Sequence, residues 1–311
     1  MSLRRDHANF MSHCWLPDER CVAGTEGGEI ILIENFEFRT VIYPCGNEGE
    51  DLIPILAITP TSRGFAIGSA HGELRAFERN DENKEMYTLE GLYVLPNETR
   101  NIVSLATGLD DTIVCLTESQ QMFSCPLYIS NMLAKDRTPA LFDHLLTPFH
   151  SVSTGVDSSV IAIDAAIWRP ILASVGKDKS VRVWNLQERR CEIIQKFEDV
   201  PVGVCLSPSG LYLLVAFIDK LKVMAVLLNE LSLIRDISIR QCEVVQVSTG
   251  GHFIAASTGS SVDIFDFATG DALVSLKGHS SKIKSIQWLH FDSRYLLAFL
   301  SLFFSYLCCV I

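Results

Sequence analysis

Ile171 to Leu186, ILASVGKDKSVRVWNL, is the stretch whose reading decides the fold. Ile171 to Ser174 is apolar and closes on a small polar residue. Gly176-Lys177-Asp178-Lys179-Ser180 is a polar turn of the kind that joins the two strands of a hairpin. Val181 and Val183 then alternate with Arg182 and Trp184, the period of two expected of a half-buried strand. A single hairpin decides nothing, because any β protein contains hairpins; its recurrence does.

The unit recurs along the chain. Taking the first residue of the second strand as a ruler, the matching positions are Ile30, Leu74, Met122, Val181, Leu221 and Val262. Three residues further on stand Ile33, Phe77, Cys125, Trp184, Met224 and Phe265, all apolar or soft, as buried anchors should be. The intervals are 44, 48, 59, 40 and 41 residues. A repeat of about 40 to 45 residues is that of a four-stranded propeller blade. The preceding strands align as well: CVAGT at Cys21, FAIGS at Phe65, IVCLT at Ile113, LASVG at Leu172, LLVAF at Leu213 and FIAAS at Phe253, with LLAFL at Leu296 as a seventh. Each follows a turn, such as Leu16-Pro17-Asp18-Glu19, Trp168-Arg169-Pro170, Ser207-Pro208-Ser209-Gly210 or Thr249-Gly250-Gly251.

The expected architecture is therefore all-β, with six complete four-stranded blades and a partial seventh. The blades run from about His7 to Pro44, Leu52 to Leu95, Asn101 to His150, Val160 to Phe197, Val202 to Ile239 and Val244 to Leu276; the seventh begins at Ile283 and has its second strand at Tyr295 to Leu300. Residues 1–300 read as one propeller domain and 301–311 as an apolar tail outside the pattern. Between Leu127 and Ala140 a long connection has room for a short helical turn, and SVSTGVDSS before Val160 is a polar insertion that accounts for the longest interval.

Composition bounds the function. The chain has 311 residues, 48% of them apolar, enough for a sizeable core, and a formal charge of −11. That charge argues against nucleic acid, whose binding needs clustered Lys and Arg, and against an anionic membrane surface. Ten cysteines are scattered without a C-x-x-C pair. Cys14, Cys21, Cys115 and Cys205 lie in strand-like apolar runs, which points to a reducing compartment and small hydrophobes, not a disulfide scaffold. MSLRRDHANFMSH holds no apolar run long enough for a signal peptide, so Asn97-Glu98-Thr99 reads as a chance match to a glycosylation acceptor.

No catalytic constellation stands out. G-x-S-x-G, H-E-x-x-H, the P-loop and the EF-hand loop are all missing from the sequence. Gly24 to Gly28, GTEGG, joins two strands and lacks the helix N-terminus that a phosphate cradle needs, so it reads as a hairpin turn. His7 and His13 have no third ligand at metal spacing. A propeller enzyme would need convergent acids or metal ligands, and the turns between paired strands vary among Glu, His, Ser, Lys and Asp without a repeated acid. The expectation is a non-enzyme with no cofactor, no metal and no small-molecule substrate.

These residues carry a resemblance. The chain resembles WD-repeat β-propellers throughout, Asn185 following Trp184 where many such repeats carry Trp-Asp. More narrowly it resembles the cilia- and flagella-associated protein 57 family, through HANFM at His7, WLPDE at Trp15, DKLKVM at Asp219, GGHFIAA at Gly250 and SLKGHSSKIKSIQW at Ser275. In a typical WD repeat a histidine before the first strand, a turn aspartate, a Ser or Thr on the second strand and a Trp on the third form a structural set. The candidates carried over are Ser174, Asp178 and Trp184, with His150 as the nearest histidine, and His279 in the one full Gly-His element. The resemblance further implies a cytoskeletal scaffold of the ciliary or flagellar axoneme, with axonemal proteins as partners and a link to inner dynein arm components and ciliary beating. Family members, on this resemblance, continue into an extended coiled coil, and the expectation is that this sequence corresponds to the first propeller alone. Given the acidic balance, attachment is expected through other axonemal proteins, not by charge to acidic tubulin tails.

Two alternatives stand beside this reading. One is a general cytoplasmic WD-repeat adaptor unrelated to cilia. The other is a tail-anchored membrane protein, because Tyr295 to Ile311, YLLAFLSLFFSYLCCVI, holds 17 uncharged residues, at the short edge of what a membrane helix needs. Against an anchor, Leu296 to Leu300 is already claimed as a strand and no basic residue flanks the far end. The preferred expectation is an abrupt departure from the repeat that leaves the seventh blade short of strands, with unpaired edges and low solubility.

Overall fold

The structure is a computed structural model that describes residues 10–34, 37–44, 53–81, 86–95, 101–118, 121–127, 140–141, 144–146, 160–188, 190–278, 282–288 and 296–300. The chain divides into two compact units, Leu3–Pro148 and Phe149–Ile311 with Met1–Ser2. They are called here the N-terminal and C-terminal units.

In the N-terminal unit the first sheet is an antiparallel meander of β1 (Phe10–Trp15), β2 (Cys21–Thr25), β3 (Ile30–Glu34) and β4 (Glu37–Ile42). The second is β5 (Ile55–Pro60), β6 (Gly64–Ser69), β7 (Glu73–Arg79) and β8 (Tyr87–Val94). The third is β9 (Ile102–Thr107), β10 (Thr112–Thr117) and β11 (Met122–Pro126). Two short strands follow, β12 (Ala140–Leu141) and β13 (His144–Leu146). β13 completes the third sheet beside β11, whereas β12 adds in parallel to the edge of β8, so the second sheet has five strands. That addition is a departure from the regular four. An outermost strand presents unpaired N–H and C=O groups, and β12 covers two residues of that edge.

The C-terminal unit repeats the meander three times. Its sheets are β14 (Val160–Ala165) with β15 (Ile171–Gly176), β16 (Ser180–Asn185) and β17 (Arg190–Lys196); β18 (Gly203–Leu206) with β19 (Tyr212–Ala216), β20 (Lys220–Val226) and β21 (Leu231–Ser238); and β22 (Cys242–Val247) with β23 (Phe253–Thr258), β24 (Ser261–Asp266) and β25 (Ala272–Lys277). A final hairpin pairs β26 (Ile283–Trp288) with β27 (Leu296–Leu300), the expected partial seventh. His150, the insertion 151–159, the connection 128–139 and the tail 301–311, for which the sequence raised expectations, lie outside the described residues. Among the described residues no helix is long and apolar enough to cross a membrane.

Sequence period explains the packing. All six ruler positions, Ile30 to Val262, are 0% exposed, and all six anchors three residues later are buried. Within each unit the first strands of successive sheets lie side by side: β1 with β5, β5 with β9, β14 with β18, β18 with β22, and β22 with β26. The cores sit between neighbouring sheets and mix their residues. Leu32, Phe65 and Phe77 share one, and Val183, Leu213 and Met224 share another. Gly68 is small because its neighbour comes close: a methyl group there would lie 2.5 Å from Ile102 Cγ2. One recurring feature was not legible from the repeat. In five sheets the pairing of third and fourth strands slips just before the anchor, at Leu32/Ile33, Ala76/Phe77, Val183/Trp184, Val223/Met224 and Ile264/Phe265. Such bulges raise local twist and let the outer strand turn away from the inner three.

The described cysteines are free thiols, and Cys14, Cys21, Cys115 and Cys205 are buried. Burial pushes all four thiols up, which keeps them protonated and unreactive.

Candidate functional site

Two of the sequence-derived candidates meet in the fourth sheet. Trp184 on β16 donates its indole N–H to Ser174 Oγ on β15 at 3.0 Å, in a buried setting. Asp178 belongs to a second group. Its Oδ1 accepts the Ser180 hydroxyl at 2.6 Å and the Ser180 N–H at 3.1 Å, and its Oδ2 accepts Arg182 Nη2 at 2.9 Å. His279 lies outside the described residues. GTEGG is the tip of the β2–β3 hairpin, closed by Thr25 N–H to Glu29 O at 3.0 Å and Gly28 N–H to Thr25 O at 3.2 Å.

Polar chemistry at the sheet turns differs between the units. In the N-terminal unit Asp18, in the turn after β1, accepts from Tyr87 Oη at 2.9 Å, Arg20 Nη1 at 3.2 Å and Arg79 Nη1 at 3.3 Å. Arg20 Nε also reaches Glu34 at 3.2 Å, Arg39 pairs with Glu34, and Arg79 Nε holds Asp81 at 2.8 Å. Arg39 and then Arg20 hold the Glu34 carboxyl below its usual range, and burial pushes the Tyr87 phenol up. The Tyr87 ring packs edge-on against Phe65, 5.1 Å between centroids, which fixes where the hydroxyl points.

In the C-terminal unit the corresponding turns mix Ser, Thr and Gly with exposed apolar and aromatic side chains. A pocket of about 380 Å³ opens among the turns and outer strands of the fourth to sixth sheets, walled by Trp168, Pro208, Tyr212, Ile234 and Phe267, with Thr249 to Gly251 at one side. Trp168 is 67% exposed, and its backbone N–H donates to Pro208 O at 3.1 Å, tying the fourth sheet's turn to the fifth's. Tyr212 and Phe267 meet edge to face with centroids 5.3 Å apart. The charged lining residue is Arg235 on β21. Its Nη1 is enclosed and has no hydrogen-bond partner. Gly270, at φ +78°, leaves the space: a methyl there would lie 2.5 Å from Arg235 Cδ. Asp266 is near enough for Arg235 to help hold its carboxyl low, but the larger cause is the Thr269 N–H, which it accepts at 2.7 Å.

Two buried titratable groups lie on first strands. Asp164 on β14 accepts the Leu206 N–H at 2.7 Å and also hydrogen-bonds the Cys205 thiol, whose sulfur in turn accepts the Val247 N–H at 3.3 Å. Desolvation pushes the Asp164 carboxyl up to about 6 against those bonds. His13 on β1 is buried, and desolvation brings its imidazole down to about 3, so it is neutral at physiological pH. Among the described residues no group of three or more His, Cys, Asp or Glu side chains is placed to hold a metal.

Sequence reading missed the pocket. Its walls come from turns and strands up to 99 residues apart, Trp168 to Phe267. The available signal was a tryptophan in a turn, where the repeat calls for small or polar residues.

Comparison with solved structures settles the fold. The chain matches the β-propeller domain of Cps50 (Swd1) from Myceliophteria thermophila with a TM-score of 0.70, over 96% of this chain and 95% of that one, at 13% identity. Over 94% of its length it is also 26% identical to cilia- and flagella-associated protein 57 of Mus musculus. The chain is a β-propeller similar to cilia- and flagella-associated protein 57. The two proteins so named in Tetrahymena thermophila, A and C, are 28% and 26% identical, each over 92% of this chain. The chain spans about a quarter of the length of these relatives, 22% to 27%. No family model matches it.

Proposed function

We propose that the chain is a protein-interaction platform of the ciliary or flagellar axoneme and performs no chemistry of its own. One observation carries the reading: similarity to cilia- and flagella-associated protein 57 from a mammal and a ciliate runs through 92% to 94% of the chain, on a propeller scaffold. Propellers present rigid turns on which partners dock. We assign Ser174, Asp178 and Trp184 a structural role, because Trp184 bonds Ser174 and Asp178 bonds Ser180 and Arg182 within one sheet. Inner dynein arm components are the proposed partners within the axoneme.

The test is to express the tagged chain in a ciliated cell, isolate cilia, and extract them with detergent and then with salt. Retention in the salt-resistant axoneme, with inner dynein arm subunits recovered by proximity labelling, is the expected result. Recovery in the detergent fraction overturns it, and phase partitioning of that fraction then separates a membrane protein from an unattached soluble one. Absence from cilia overturns it in favour of a general cytoplasmic adaptor.

A further inference from the structure

We infer that the pocket among the fourth to sixth sheets is a docking site for a short acidic–apolar peptide segment of a partner protein, which seats an apolar side chain against Trp168, Tyr212 and Phe267 and a carboxylate on Arg235. The inference deepens the interaction-platform reading and rests on it.

Charge selects the occupant. In a chain of net charge −11, Arg235 is a cation that has no ion pair among the described residues. Packing against Gly270 holds it in place, and the Asp266 carboxylate acts on it through charge without forming an ion pair among the described residues. Every acid close by has other work: Asp266 caps Thr269, and Asp236 faces Lys222 at 3.7 Å. The enclosed Nη1 is out of a ligand's reach, so a carboxylate would meet the rest of the Arg235 guanidinium, which lines the pocket, and a planar cation of this kind pairs best with a carboxylate. The aromatic walls select an apolar neighbour for that carboxylate. Tyr212 and Phe267 are locked edge to face, so the slot beside Trp168 is already formed before anything enters it.

Extent selects a peptide over a small molecule. Exposed apolar side chains also stand beside the lining residues in sequence, Leu211 next to Tyr212 and Leu233 next to Ile234. Leu227 and Leu228, the latter 89% exposed, lie in the turn whose start is bonded to Leu211 through Val226 N–H at 2.8 Å. An extended segment seated in the pocket has the length to reach such neighbours; a compact ligand does not.

The experiment uses the 311-residue chain and fluorescein-labelled decapeptides read by anisotropy. The probes carry Phe-Asp-Leu, Phe-Asn-Leu or Phe-Lys-Leu in Gly-Ser flanks, with decaglutamate as a fourth. The Phe-Asp-Leu peptide is expected to bind about ten-fold or more tightly than the other three. Arg235→Gln should remove the preference for Asp over Asn, Arg235→Lys should keep part of it, and Trp168→Ala should weaken both peptides alike. Melting curves monitor folding, and the Asp-to-Asn comparison on the parent chain stands even where a variant fails to fold. Equal binding of Asp and Asn peptides, tightest binding of Phe-Lys-Leu or decaglutamate, insensitivity to Arg235→Gln, or no binding at millimolar peptide overturns the proposal. So does a concentration-dependent dimer lost in Trp168→Ala, which makes the occupant a second copy. Retention of the parent chain in the axoneme reports on the platform reading separately, so the two fail in distinguishable ways.

Discussion

Asp18 and Arg235 make the instructive comparison. Asp18 sits in a turn of the N-terminal unit and collects a tyrosine and two arginines, which are themselves shared with Glu34 and Asp81. Arg235 lies on β21 of the C-terminal unit, and its enclosed Nη1 has no hydrogen-bond partner. The first arrangement is neutralised from within, so it is a component of the fold. The second has no ion pair among the described residues, only the charge of Asp266 nearby, and apolar side chains that a fold normally hides stand around it. Charge and exposure alone do not mark a docking surface, because both regions carry polar atoms; what marks it is a group to which the described residues supply no ion-pair partner. Ways to break or sharpen this contrast follow, the largest effect first.

Trp184→Ala should cost about 3–5 kcal/mol, because it empties a buried site between sheets and strips Ser174 Oγ of its donor. Calorimetry or a thermal melt reads it. A shift of a degree or less would mean that Trp184 is no anchor. Trp184→Phe separates the two causes, losing the bond and keeping most of the packing, at about 1 kcal/mol.

Acid should act on the two units in opposite directions. His13 is neutral in the fold and ordinarily titrates at 6.5, so its contribution is whole above 6.5 and is lost as pH falls toward about 3. Asp164 has its folded value raised from 3.8 to about 6, so its contribution is whole below 3.8 and is lost as pH rises through about 6. Between pH 7 and pH 5 the N-terminal unit should lose about 2 kcal/mol and the C-terminal unit gain about 1 kcal/mol. Peptide-resolved hydrogen exchange, corrected for intrinsic rates, should show protection falling over β1 to β3 and rising over β14 to β18. Asp164→Asn should abolish the rise and leave the fall. A common direction in both units would contradict the assignment.

Tyr87→Phe and Tyr212→Phe apply one substitution to the two kinds of surface. The Tyr87 hydroxyl donates to a carboxylate, so its loss should cost about 1.5 kcal/mol and should loosen Arg79 and Arg20 with it. The Tyr212 ring keeps its contact with Phe267 without the hydroxyl, and a change within about 0.5 kcal/mol is expected. Equal costs would erase the distinction between the closed network and the open pocket.

How much of this was legible in the sequence follows from range. The strands were, because alternation of period two is local and burial enforces it at Ile30, Leu74, Met122, Val181, Leu221 and Val262. The Trp184–Ser174 pair lies within one hairpin, ten residues apart, and was within reach for the same reason. The two residues of β12 carry no period, and nothing in them foretold a parallel addition to β8. The pocket was out of reach because Tyr212 and Phe267 belong to different repeats. Each alone looks like the scattered apolar exposure that any surface carries. Arg235 gave no sign either, since the lack of a partner is a property of three dimensions.

The smallest expected effect tests the contrast most directly, because it sets two tryptophans of one sheet against each other. Trp168 and Trp184 are 16 residues apart in the fourth sheet's run, and composition treats them alike. Trp184 is 7% exposed and Trp168 is 67% exposed. The bond that ties the Trp168 turn to the fifth sheet comes from its backbone N–H to Pro208 O, which alanine keeps. The indole therefore contributes little to folding, and Trp168→Ala should move stability by no more than about 0.5 kcal/mol. Removing an exposed aromatic from an apolar rim should also lower nonspecific adsorption, measured as reduced retention on a phenyl column. A loss of several kcal/mol on melting would show that the rim is a wall of the core, and the pocket would then be a gap in packing and not a surface kept open for a partner. An unchanged melt together with weakened peptide binding separates the two tryptophans by what they do: Trp184 holds the sheet, and Trp168 is held out for something else.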